Sequence, residues 1–199
     1  MTDPRFAHER YKLRRSVFVV FGGEFKISDG TGVPVLYSLQ KAFKLKEDIR
    51  IYGDETATAE VLTIRARSIV DFSAAYDVVD ATTGEHVGII KRRGWKSMVR
   101  DAWVIHDADD RPVATAIEDA VWRAVLRRIV GIFSYLPALL PQRYHVDVDG
   151  QTVATMHQNF NPFVYKLNID FSLDTGRVLD RRLGLALAVL LAAIEGKQG

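Results

Sequence analysis

The chain has 199 residues, 48% hydrophobic, with 27 Lys or Arg against 25 Asp or Glu and no cysteine. A chain this long can bury a sizeable core in one domain or two small ones, and the lack of cysteine excludes disulfides and thiolate metal sites and fits a reducing, cytoplasmic setting. A net charge of +2 is too balanced for bulk nucleic-acid binding, so any basic partner site has to be local.

The opening stretch MTDPRFAHERYKLRRS lacks the apolar h-region of a secretory signal, and residues 1–15 are expected to form a polar tail ahead of a single domain over 16–199. From Ser16 to Phe72, apolar and polar residues alternate with period two. Turn signals interrupt this at Gly22-Gly23, SDGTG and YGDE, the pattern of consecutive hairpins. The pattern resumes in YDVVDATTGEHVGII, WVIHDADDRPVATAI and YHVDVDGQTVATM, and ends in the longer apolar run PFVYKLNIDF, giving about twelve short strands.

The hairpins are copies of one another. Phe25, Ile27, Asp29 and Val35 have the spacing of Trp103, Ile105, Asp107 and Val113. Tyr76, Val78, Asp80 and Val87 differ by one residue in the turn, and Tyr144, Val146 and Val153 match more loosely. In each copy an aromatic and a β-branched residue face one side, and Asp or Gly makes the turn. Eight residues after Val35 and Val87 come Phe43 and Trp95, both set among basic residues. A dozen antiparallel strands lose their exposed edges by closing into a barrel, and a barrel of that size has a lumen too wide for strand side chains alone.

Two segments stand out between the hairpins. In KRRGWKSMVR, Lys91, Arg92, Arg93, Lys96 and Arg100 surround Trp95 with no acidic residue between them, a composition suited to phosphate groups, whether on lipid or on nucleic acid. Residues 119–142 form an insert expected to be a helix N-capped by Asp119, with Trp122, Val125, Leu126, Ile129, Phe133 and Leu136 on one face. Arg123 and Arg127 lie on the other face, Arg128 lies near the boundary, and Pro137 and Pro141 end the pattern. Such a helix can pack on the outside of the barrel with its arginines in water, lie in a membrane interface, or dock a protein partner or a second copy.

The chain closes with RRLGLALAVLLAAIEG, where twelve residues from Leu183 to Ile194 carry no polar side chain. A bilayer needs about 20 such residues. The run is expected to be a central helix over 178–195 that plugs the barrel, Leu183, Leu187, Leu190 and Ile194 giving bulk and Gly184, Ala188 and Ala192 allowing close approach. The rival is a membrane span, since Gly184, Ala188 and Ala192 also make a small-xxx-small packing face.

The repeated hairpins, the basic-aromatic segments QKAFKL and IKRRGWKS, and the terminal LGLALAVLLAAIEG together resemble the LURP-one-related proteins, relatives of phospholipid scramblases and of the tubby C-terminal domain. The resemblance covers roughly Ser16 to Glu195 apart from the insert, and it implies a twelve-stranded barrel threaded by a hydrophobic C-terminal helix. It also implies peripheral binding of anionic, phosphoinositide-like lipid through Lys and Arg. Lys91, Arg92, Arg93, Trp95, Lys96, Trp122, Arg123, Arg127 and Arg128 are the expected lipid or partner contacts. Scramblase-type relatives carry an acidic calcium segment before the final helix, but here Asp170, Asp174 and Asp180 are spaced too widely for an EF-hand-like loop.

Catalytic patterns are missing from the sequence. The five histidines show no metal-ligand spacing, there is no GxSxG, P-loop or GxGxxG, and HDADD occupies the turn of a repeat. The expectation is a non-enzymatic protein with no cofactor, located in the cytoplasm or at the membrane periphery.

Overall fold

The computed structural model describes residues 3–16, 22–41, 48–67, 75–92, 102–119, 141–159, 161 and 164–194. Its strands are β1 (Arg10–Ser16), β2 (Gly22–Asp29), β3 (Pro34–Lys41), β4 (Asp48–Tyr52), β5 (Glu60–Ala66) and β6 (Ala75–Asp80). They continue as β7 (His86–Arg92), β8 (Ala102–His106), β9 (Pro112–Glu118), β10 (Arg143–Val148), β11 (Gln151–Asn159) and β12 (Val164–Asp170). Each strand pairs antiparallel with its neighbours in sequence, and β1 pairs with β12 from Arg10↔Asp170 to Ser16↔Val164, which closes the barrel.

The repeat has a physical basis in this fold. Phe25 and Ile27, Tyr76 and Val78, Trp103 and Ile105, and Tyr144 and Val146 are all buried in the core. The Asp that follows in three of the copies ties down its own turn. Asp29 accepts from the backbone N–H of Thr31 and Val33, Asp80 from Thr82, and Asp107 from Asp109 and Arg111. HDADD is therefore a hairpin turn. In each of the five hairpins β2–β3, β4–β5, β6–β7, β8–β9 and β10–β11 the register shifts once, always in the last residues of the first strand.

The C-terminal helix α1 (Arg181–Ile194) is three residues shorter at its start than the 178–195 expected, because Asp180 caps it by accepting from the Arg182 N–H at 2.8 Å. Leu183 to Ala193 are buried throughout. Among the described residues no helix is long and apolar enough to cross a membrane. The barrel wall covers the helix on all sides, which is how it can be apolar all round. Its six large described apolar side chains, Leu183, Leu185, Leu187, Val189, Leu190 and Leu191, contribute on the order of 10 kcal/mol of burial.

Two glycines set the fit of this plug. A Cβ on Gly88 of β7 would lie 2.3 Å from the His106 carbonyl oxygen and 3.2 Å from the Leu183 side chain, and one on Gly184 would lie 2.6 Å from the buried Phe171 ring. Gly184→Ala is therefore expected to cost about 1–3 kcal/mol through overpacking. At about 2–4 °C per kcal/mol for a chain of this size, a thermal melt should show the loss directly.

The expected polar tail 1–15 is in part a wall of the barrel. Tyr11 and Leu13 alternate inward along β1 and are buried, and a single 3-10 turn (Pro4–Phe6) tucks Phe6 into the core. The Tyr11 hydroxyl donates to the Arg5 carbonyl oxygen and accepts from the His8 N–H, which pins the turn in place. A seven-residue strand with Arg and Lys on its outer face has too little apolar content to stand out in sequence, and pairing with both β2 and β12 supplies what local pattern does not.

Candidate functional site

In an up-and-down barrel successive connections alternate between the two ends, so topology sorts them. At one end are the five hairpin turns, 30–33, 53–59, 81–85, 107–111 and 149–150, with seven Asp or Glu, one Arg and no aromatic residue. The strand ends opposite these turns are joined in sequence by 17–21, 42–47, 67–74, 93–101, 119–142 and 160–163, and each of these six stretches contains Phe or Trp. By sequence these six stretches hold nine Lys or Arg against four Asp or Glu. Both tryptophan-bearing basic segments belong to this set of connections, whose composition is basic and rich in aromatic residues.

Of the expected contact residues the structure describes Lys91 and Arg92, while Arg93, Trp95, Lys96, Trp122, Arg123, Arg127 and Arg128 lie outside the described residues, as does the body of the 119–142 insert. Adjacent on β7, Lys91 and Arg92 face opposite sides of the wall. Arg92 stands in register with the inward Trp103, its guanidinium 5.7 Å from the ring centroid. Lys91 faces outward and binds Asp110 at 2.6 Å, and this hydrogen bond holds the Asp110 carboxyl below its usual range. Asp110 also meets His106 at 2.8 Å and Arg67 at 3.8 Å, while Arg67 and His86 share Asp77. The two side chains are not brought to one anion, and Lys91 already has an acidic partner.

The inner wall at the same end holds a residue that the sequence reading passed over. Tyr165, Arg15, Phe25 and Ser38 form one cross-strand row over β12, β1, β2 and β3, all buried. Arg15 donates from Nη1 to the Ala192 carbonyl oxygen at 2.8 Å, placing its cation at the C-terminal end of α1, where the helix dipole is negative. The available signal was the spacing Tyr11, Leu13, Arg15, which puts the arginine on the inward face of β1.

At the opposite end the three aspartates of the segment before α1 have structural duties. Asp174, buried, accepts from the Val178 and Leu179 N–H groups and pairs with Arg181 at 2.5 Å, and the Arg181 guanidinium lies 4.5 Å from the Phe171 centroid. Asp170 accepts from the Ser172 N–H and pairs with Arg10 at 3.0 Å. Asp180, the helix cap, pairs with Arg182, which also binds Asp80 at 2.9 Å and Glu85 at 2.7 Å and so fastens the start of α1 to the β6–β7 hairpin. Among the described residues no group of three or more His, Asp or Glu is arranged to hold a metal ion.

Comparison with known proteins agrees with this architecture. The LURP-one-related family model matches residues 35–192. A protein from Arabidopsis thaliana known by its X-ray structure is similar at 14% identity, with 95% of this chain and 94% of that one covered and a TM-score of 0.51, which is a likeness of fold. No curated protein matches the sequence.

Proposed function

The chain belongs to the LURP-one-related family, and from that membership we propose that it is a non-catalytic barrel that binds anionic, phosphoinositide-like membrane lipid peripherally through its basic, aromatic-rich end. The observation that carries the reading is the sorting of connections. Every inter-strand connection at one end contains Phe or Trp, together with an excess of Lys and Arg, whereas the hairpin turns at the other end are small and acidic. A membrane interface rewards that pairing, because aromatic rings settle at headgroup depth and basic side chains are drawn to the negative leaflet.

The test is flotation with phosphatidylcholine vesicles with and without phosphatidylserine, at low and high salt. Each basic residue near an anionic surface contributes about 1 kcal/mol, so replacing Arg123, Arg127 and Arg128 together should weaken binding by roughly 3 kcal/mol, about a hundredfold. Trp122→Ala should weaken it with less dependence on salt, since its contribution is apolar burial. Replacing Arg93 and Lys96 tests the other segment while leaving Arg92 on Trp103. Equal binding by all variants, or none by the parent, would defeat the reading. A parent that ignored vesicles and self-associated through the insert would favour a protein-docking module.

A further inference from the structure

Two arginines are buried at the two ends of the central helix, each 8% exposed and each with its guanidinium near a phenylalanine ring. They differ in one respect. Arg181 has its own carboxylate, Asp174, and also donates to the Leu179 carbonyl oxygen. Arg15 has no carboxylate partner among the described residues. Its hydrogen bond is to the Ala192 carbonyl oxygen, and its buried Nε has no partner. The helix terminus offers only about half a negative charge, so most of the guanidinium's donors and much of its charge are left unanswered. Burial accordingly pushes the Arg15 pKa down from its ordinary value. Two strands along the same row, the Ser38 hydroxyl is 1% exposed and likewise makes no hydrogen bond.

We propose that Arg15 and Ser38 form an anion site on the inner wall at the basic end of the barrel, filled by the phosphate of an anionic lipid headgroup. The chemistry is that of a phosphoryl oxyanion meeting an arginine fork and a hydroxyl, with Phe25 on one side of the guanidinium at 5.5 Å. The anion does for Arg15 what Asp174 does for Arg181. The inference rests on the membrane reading for its occupant, since the phosphate could equally come from a soluble ester. The site itself rests on the unanswered donors.

The experiment uses the full chain with two probes, sn-glycerol 3-phosphate in solution and phosphatidylcholine vesicles containing phosphatidic acid. Glycerol phosphate well above its dissociation constant should raise the thermal midpoint of the parent by about 5 °C or more. Arg15→Met should lose that rise and Arg15→Lys should keep part of it. An equal rise in Arg15→Met overturns the site. If Arg15→Met does not fold, Ser38→Ala, which keeps the cation, should bind glycerol phosphate about tenfold more weakly, and unchanged affinity overturns the site. A rise in the parent without vesicle binding supports the site, names a soluble ester as its occupant and defeats the membrane reading. Vesicle binding that Arg15→Met leaves intact, with no response to glycerol phosphate, overturns the site and leaves the membrane reading standing.

Discussion

Leu187→Asp is expected to leave the chain unfolded or insoluble. Leu187 is fully buried near the middle of α1, and its neighbours along the helix from Leu183 to Ala193 are buried too. An aspartate there either stays ionised in an apolar core or takes up a proton, and each choice adds to the lost leucine burial and the poor fit that remains. Losing a buried leucine alone costs about 2–5 kcal/mol, and total stabilities of single domains run only about 5–15 kcal/mol. Near-ultraviolet circular dichroism should lose its aromatic signal and the cooperative melt should disappear. A variant that kept the parental melt and merely left a membrane fraction would mean that the helix spans lipid rather than plugging the barrel.

Asp174→Ala should have the next largest effect on stability. The Asp174 side chain is 1% exposed and answers Arg181, itself buried, together with the N–H groups of Val178 and Leu179 that shape the entry to α1. Removing one member of a buried pair strands the other charge, at about 3–5 kcal/mol, which corresponds to a fall in Tm of roughly 10 °C. Asp174→Ala combined with Arg181→Met should recover part of that loss, since no unpaired guanidinium is then left behind.

The same pair fixes the sign of the pH dependence. Burial alone would raise the Asp174 pKa, but the Arg181 hydrogen bond and the two backbone N–H groups outweigh it and hold the value below the ordinary 3.8. A carboxylate with a depressed folded-state pKa stabilises the protein above its unfolded value and loses that contribution as pH falls through the folded one. Asp80, which is lowered by Thr82 and Arg182 against its own burial, acts in the same direction. The parent should therefore lose stability as pH drops below about 4, and the Asp174→Ala variant should show a shallower acid limb in urea titrations at stepped pH.

What could be seen in the sequence was what depends on local periodicity. Alternation with period two marks strands such as Ala102–His106 because each second side chain must enter the core, and the repeated Asp marks turns because its carboxylate can satisfy backbone N–H groups two to four residues ahead. The length of the run from Leu183 to Ile194 separated plug from span, since twelve apolar residues are too few for a bilayer and too many for a solvated helix. The lipid contacts drawn from composition alone treated Lys91 and Arg92 as one cluster. Strand geometry divides them, because neighbours on a β-strand point to opposite faces and one went to Asp110 while the other went to Trp103.

Tertiary structure alone decided the pairings between residues far apart in the chain. Arg15 meets the carbonyl of Ala192 only because β1 closes the ring against β12 and the helix returns through the lumen, and Arg182 reaches Asp80 and Glu85 for the same reason. No local signal encodes such contacts, since the energy that makes them comes from a register set across the whole barrel. The charge difference between the two ends belongs to both levels. Its residues are plain in the sequence, but only the alternation of an up-and-down closed sheet separates the strand ends joined by aromatic and basic stretches from those joined by the acidic turns.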